Sequence, residues 1–171
     1  MTRVGITGHQ RLQDPAAWLW VEEAVGRELD ALAAPLTVVT SLAVGADQLV
    51  ARLGIARGAT VRTILPFAGI ERTFLPEDLQ AYRRLVSEAS VEVLRTSGTD
   101  EDAYLAAGRR VVESSDLMIA VWDGKPARGK GGTADIVGYA LTSAVPVVHI
   151  NPVERTVTKL QPAKSKPSPT G

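Results

Sequence analysis

The chain of 171 residues contains no cysteine, which removes disulfide frameworks, thiolate nucleophiles and cysteine-based zinc sites. Histidine is scarce as well. His9 and His149 are the two present; they lie far apart in sequence, and no metal site is expected from them. Aromatic residues make up 5% of the chain and the formal net charge is +0. Stacking surface and bulk positive field, the two marks of a dedicated nucleic-acid binder, are therefore both weak, and nucleic acid is not the expected partner. No apolar run approaches the ~18 residues of a membrane span. No basic segment followed by an apolar stretch stands before the first strand pattern, so no signal peptide is visible, and cytoplasmic location is the expectation.

What remains is an ordinary globular composition, 45% hydrophobic and 22% charged, of a size that suits one domain with a sizeable core. Short β-branched runs alternate with longer amphipathic stretches, the pattern of βαβ units around a parallel sheet. Strands are expected at Val4 to Thr7, Leu36 to Thr40, Thr60 to Leu65, Val91 to Leu94, Leu117 to Val121 and Val145 to Ile150. The first helix is expected to open at Asp14 as N-cap with Pro15 at its first position, and to bury Trp18, Val21, Val25, Leu29 and Leu32 on one face. Thr99 and three following acids mark the start of another helix. The fold class predicted is a Rossmann-like α/β three-layer sandwich with a mostly parallel central sheet. Its domain runs over 1–152, followed by a flexible tail over 153–171 that becomes rich in Pro, Ser and Lys.

In such a sheet the strand-to-helix loops gather at one edge, and ligands bind there. Three loops hold the unusual residues. In the first, Gly8 permits a sharp exit from the strand, while His9 and Arg11 offer donors to an oxyanion. In the second, Ser41 to Asp47, small residues let backbone N–H groups at a helix start face an anion. There Gly45 is one of the small residues, and Asp47 is placed either to bond a ribose hydroxyl or to compensate the helix dipole. The third, Trp122 to Thr133, carries four glycines, two lysines and an arginine. Glycine costs conformational entropy, so four in one loop call for a reason beyond folding. Lys130, Gly131, Gly132 and Thr133 at the opening of a helix suit a phosphate, and Trp122 is a candidate to stack on a base. Thr133 does not follow a Gly-Lys pair, which excludes a Walker A loop and its ATPase chemistry.

Together these loops resemble the SLOG superfamily, the Rossmann-like group containing the Lonely Guy phosphoribohydrolases and DNA-processing protein A, over roughly Arg3 to Pro152. Ser41 to Asp47 looks like that group's Ser-Gly-Leu-Ala-x-Gly-x-Asp segment, except that Leu42 follows Ser41 directly. Gly131-Gly132-Thr133 looks like a shortened Pro-Gly-Gly-x-Gly-Thr-x-x-Glu signature. Arg109 and Arg110 lie near where the enzymes carry a catalytic arginine. Gly132-Thr133-Ala134 with Gly138-Tyr139-Ala140 is also similar to a run in nucleoside deoxyribosyltransferases. Both enzyme families place a glutamate three residues after the threonine. Here that position is Ile136, and Asp135 is the nearest carboxylate, about 100° away around a helix.

Three readings follow. The resemblance implies, first, a non-catalytic domain that binds or senses a phosphate-bearing or NAD-derived nucleotide, with no further cofactor. Gly131, Gly132 and Thr133 would then take phosphate, helped by Lys130 and Arg109, while Gly8, His9 and the Ser41–Asp47 loop meet sugar or base. The second is a nucleotide N-glycosidase with Asp135 as its carboxylate and Arg109 orienting the phosphate. The third is single-stranded DNA binding. The resemblance also makes a homodimer an open possibility.

Overall fold

In a computed structural model, which describes residues 1–127 and 129–163, seven strands form one sheet. They are β1 (Thr2–Gly8), β2 (Leu36–Thr40), β3 (Thr60–Leu65), β4 (Ala89–Val93), β5 (Leu117–Val121), β6 (Val147–Asn151) and β7 (Thr156–Leu160). Five helices connect them: α1 (Ala17–Asp30), α2 (Ala46–Ile55), α3 (Pro76–Ser87), α4 (Asp100–Glu113) and α5 (Thr133–Thr142). The strand order is β4-β3-β2-β1-β5-β6-β7, parallel except for β7. Among the described residues no helix is long and apolar enough to cross a membrane.

Burial on both faces explains the strand composition. Val4 and Ile6 of β1 and Ile119 and Val121 of β5 point into a core shared with Val21, Val25 and Leu29 of α1 and Val50 of α2. Met118 and Ala120 of β5 point the other way, against Val111 and Val112 of α4 and Ile136 and Ala140 of α5. A strand facing two helical layers must be apolar at every position rather than at alternate ones. The chain builds outward from β1 to β4, returns through α4 to place β5 on the other side of β1, and then builds outward again. Loops leaving β1 and β5 therefore diverge to opposite faces, opening a crevice at the point where the strand order reverses.

Several boundaries differ from expectation: β4 begins two residues before Val91, β6 begins two residues after Val145, and two further differences have a clear local cause. Asp14 caps a turn rather than a helix: its side chain accepts from the Ala16 N–H at 3.0 Å and its carbonyl from Ala17 at 3.1 Å. The helix proper begins after Ala16. Beyond 152, where the sequence suggests only a tail, Asn151 accepts from the N–H groups of Val153 and Glu154 and turns the chain back. β7 then pairs antiparallel with β6 from Thr156 to Leu160. Four of its five residues are exposed, so it lacks the apolar density by which a strand is recognised, although its β-branched threonines and valine suit an edge. The stretch 164–171 lies outside the described residues.

At α4 the expected start holds. Thr99 accepts from the Asp102 N–H at 3.2 Å, and Asp102 accepts in return from the Thr99 N–H at 3.1 Å, a reciprocal capping box. Thr99→Ala should therefore cost about 1 kcal/mol of stability, read as a lower midpoint at unchanged slope in urea unfolding.

Candidate functional site

The crevice is built by an interlock between β1 and α2. The His9 N–H donates to the Val121 carbonyl at 3.0 Å, extending β1 one residue past its strand, and the His9 carbonyl accepts from the Ala46 N–H at 3.1 Å. This brings the start of α2 hard against the first loop. A Cβ on Gly8 would sit 2.6 Å from Ala46 Cβ, and one on Gly45 would sit 2.6 Å from the His9 carbonyl oxygen. Gly45 also has φ +88°, in the region that favours glycine. Both glycines are thus required for close approach. One first-turn donor of α2, the Ala46 N–H, is consumed by the interlock and is closed to a ligand.

His9 ties the same loop to β5. Its Nε2 accepts from the Asp123 backbone N–H at 3.1 Å and lies 3.4 Å from Asp123 Oδ1. Burial alone would raise the Asp123 carboxyl, but the Lys125 backbone N–H and the His9 ring hold it below the usual carboxylate range. Sequence reasoning passes over Asp123. Its signal is the abrupt arrival of a carboxylate after an apolar strand, at the lip of the crevice.

Asp47 faces inward. It is 6% exposed, and Oδ2 accepts from Thr40 Oγ1 and from the Ser41 N–H, both at 3.1 Å. Thr40 Oγ1 accepts in turn from the Leu42 N–H at 2.9 Å. That holds Leu42, fully buried, at φ +55°, a left-handed conformation unusual for leucine. The carboxylate acts as a template on which the Ser41–Gly45 loop folds. Of the second-loop candidates, Gly45 is packed against the first loop, while Asp47 is buried and bonded to the Ser41 N–H.

The glycine loop is anchored on α4. A Cβ on Gly131 would sit 2.9 Å from the Leu105 backbone nitrogen, and Gly131 has φ +78°. Gly132 is the N-cap of α5 and offers no side-chain cap, so the N–H groups of the first turn at Thr133 lack the usual capping oxygen. Lys130 Nζ lies 3.3 Å from Asp102 Oδ1, on the exposed surface. Asp135 Oδ2 accepts from the Gly131 N–H at 3.2 Å, closing the loop on its own helix. Ile136, three residues after Thr133, is 2% exposed and packed into the second core.

Arg109 is set apart. Its guanidinium lies 5.1 Å from the Tyr139 ring centroid, one turn further along α5 than Asp135. Arg110 bonds Glu92 at 3.2 Å. Trp122 is folded back as well, donating from Nε1 to the Lys125 carbonyl at 2.8 Å, with its ring 4.9 Å from that of His149. Gly8, His9, Ser41 and Gly45 thus converge at the ends of β1 and β2, and Lys130, Gly131, Gly132 and Thr133 gather at the head of α5. Among the described residues no group of three or more His, Asp or Glu side chains is arranged to hold a metal.

Burial raises the Asp47 carboxyl to about 6, against weaker lowering by Thr40, Ser41 and Ala43. The folded state therefore holds a proton that the unfolded chain releases near its ordinary value. The contribution of Asp47 to stability is present at low pH and falls as pH rises through about 6. Urea unfolding of the protein and of Asp47→Asn at a series of pH values should show the wild-type advantage shrinking between pH 4 and 6. It should level off above pH 7, where the titration is complete.

No family model matches the chain, and no curated protein matches it. Solved structures do. DNA processing protein A from Streptococcus pneumoniae superposes with a TM-score of 0.64 at 15% identity, over 86% of this chain and 50% of that one. DNA processing protein A from Helicobacter pylori gives 0.60 at 15% identity, over 86% and 64%. The Moco carrier protein of Chlamydomonas rheinhardtii gives 0.53 at 17% identity, over 86% and 74%. This chain thus spans half to two thirds of the length of the two DNA-processing proteins. At these identities the likeness is one of architecture, and the chain has the Rossmann-like α/β fold that these proteins share.

Proposed function

We propose that this chain is a SLOG-type domain that binds or senses a nucleotide carrying phosphate, without cleaving it. The observation that carries the reading is the head of α5 at the reversal point of the sheet. A glycine loop held by α4 presents an uncapped helix start there, which suits an anion, while the position used for chemistry is filled by Ile136 inside the core. Cleaving an N-glycosidic bond calls for a carboxylate as nucleophile or to stabilise developing positive charge. Asp135 is the nearest, but its carboxylate is engaged with the Gly131 N–H and is better placed to shape the loop than to attack a sugar.

Phosphate would meet the N–H groups around Gly132 and Thr133, with Lys130 supplying charge by exchanging Asp102 for the ligand. Gly8, His9, Ser41 and Gly45 form the opposite wall for sugar or base. Arg109 reaches the ligand only by leaving Tyr139, so its role in binding is secondary. A second reading, single-stranded DNA binding, draws weight from the Helicobacter pylori neighbour, for which a single-stranded DNA binding mode is described. Zero net charge weighs against it, because binding of strands depends on neutralising several phosphates.

A thermal-shift screen against nucleoside monophosphates, NAD, ADP-ribose and cyclic nucleotides, with each incubation assayed for free base, tests the proposal. A ligand at 100 times its Kd adds about 2.7 kcal/mol, or roughly 5–10 °C for a domain of this size. Stabilisation with no base released is the expected result. Base release abolished by Asp135→Asn would instead make the chain an N-glycosidase, and a shift with oligonucleotides alone would favour the second reading.

A further inference from the structure

Beside the crevice stands an aromatic pair that neither the fold nor the loops described above accounts for. Phe67 follows β3 by two residues, and Tyr104 lies in the opening turns of α4. Their rings meet over the C-terminal edge of the sheet, with centroids 5.8 Å apart and planes tilted by 58°. Phe67 is partly buried against the first core. Tyr104 is not a core residue: the buried positions of α4 are Ala103, Ala107, Val111 and Val112, while Tyr104 is 39% exposed. Tyr104 therefore keeps exposed surface beside Phe67, where a further ring could pack.

The pair is stiffened from behind. The guanidinium of Arg72 lies 4.8 Å from the Phe67 ring centroid and is held by both oxygens of Asp100, at 3.1 and 3.0 Å. Arg72 packs on Phe67, Phe67 meets Tyr104 at a tilt, and one Arg72 nitrogen, Nη2, donates to both oxygens of Asp100. The platform also adjoins the loop assigned to phosphate. Tyr104 is followed by Leu105, whose backbone nitrogen is the closest neighbour of a Cβ built on Gly131. Lys130 reaches the same helix turn through Asp102.

Resting on the nucleotide reading above, we infer that Tyr104, backed by Phe67 and Arg72, is the stacking platform for the base of the bound nucleotide. The platform would add affinity for the base without selecting one, because every base has a π-face. It would add nothing for a sugar phosphate that has no base.

The test uses the full chain and calorimetric titration with a nucleotide that stabilises it, with ribose 5-phosphate and with oligothymidylate. Tyr104→Ala, checked for an unchanged unfolding midpoint, should weaken the nucleotide about tenfold and leave ribose 5-phosphate unaltered. Tyr104→Phe should restore wild-type affinity. If wild type binds the nucleotide and Tyr104→Ala binds it as tightly, the platform is overturned and the nucleotide reading stands. Equal losses for nucleotide and ribose 5-phosphate also overturn it, because the phosphate end would then be what the variant disturbs. A wild-type chain that binds oligothymidylate and no nucleotide, or binds neither, overturns both.

Discussion

The close approach of α2 to the first loop governs the whole C-terminal edge of the sheet. Gly8 and Gly45 remove the side chains that would keep the two apart, and the Ala46 N–H to His9 carbonyl bond locks them together. His9 then bridges to Asp123, so loops from β1, β2 and β5 become one body. The interlock has a functional consequence. It uses a donor at the start of α2, which is why an anion is proposed to lie at the start of α5, although neither helix has a side-chain cap. Sequence alone leaves both helices as candidates for phosphate, whereas the backbone contacts favour one of them.

Asp47 shapes the loop above it from within the fold. Its carboxylate sits under the Ser41–Gly45 loop and takes the loop's donors inward, at the cost of a pKa raised to about 6 by burial. An ionisable group kept in so dry a place is costly unless its bonds are well made. Here they hold Leu42 in a left-handed conformation that leucine adopts rarely. The buried leucine side chain and the template beneath it fix the loop's outer surface. A ribose role and a loop-shaping role look the same in sequence, because both ask for a carboxylate at the start of that helix.

The legible parts of the molecule were those written in local chemistry. Parallel strands covered on both faces become β-branched, largely apolar runs: Leu117–Val121 is apolar throughout, and Leu36–Thr40 and Thr60–Leu65, which mix in threonine and Arg62, also fall where that pattern puts them. The capping box at Thr99 follows from four consecutive residues. What escaped was written in contacts across the chain. Lys130 and Asp102 are 28 residues apart, and their pairing turns a free cation into one that must change partners. The edge strand β7 escaped for the opposite reason, since one exposed face and a solvent-facing edge leave little apolar signal to read. Phe67 and Tyr104 escaped because each is unremarkable on its own element.

Helical phase argues for the separation of binding from chemistry. On α5, Ile136 and Asp135 are neighbours, yet about 100° of rotation sends one into the core and the other to solvent. The inward position is shaped by Gly108 of α4, where any Cβ would collide with the Ile136 side chain. Glycine and isoleucine are therefore matched in volume, and the α4–α5 contact depends on that match. A glutamate at 136 would bring a charge into an apolar layer that holds no partner for it, at a penalty of several kcal/mol. The inward face of α5 is committed here to packing. The head of the helix, set by Gly131 and Gly132, is where the proposed phosphate would lie, one turn before that packed position.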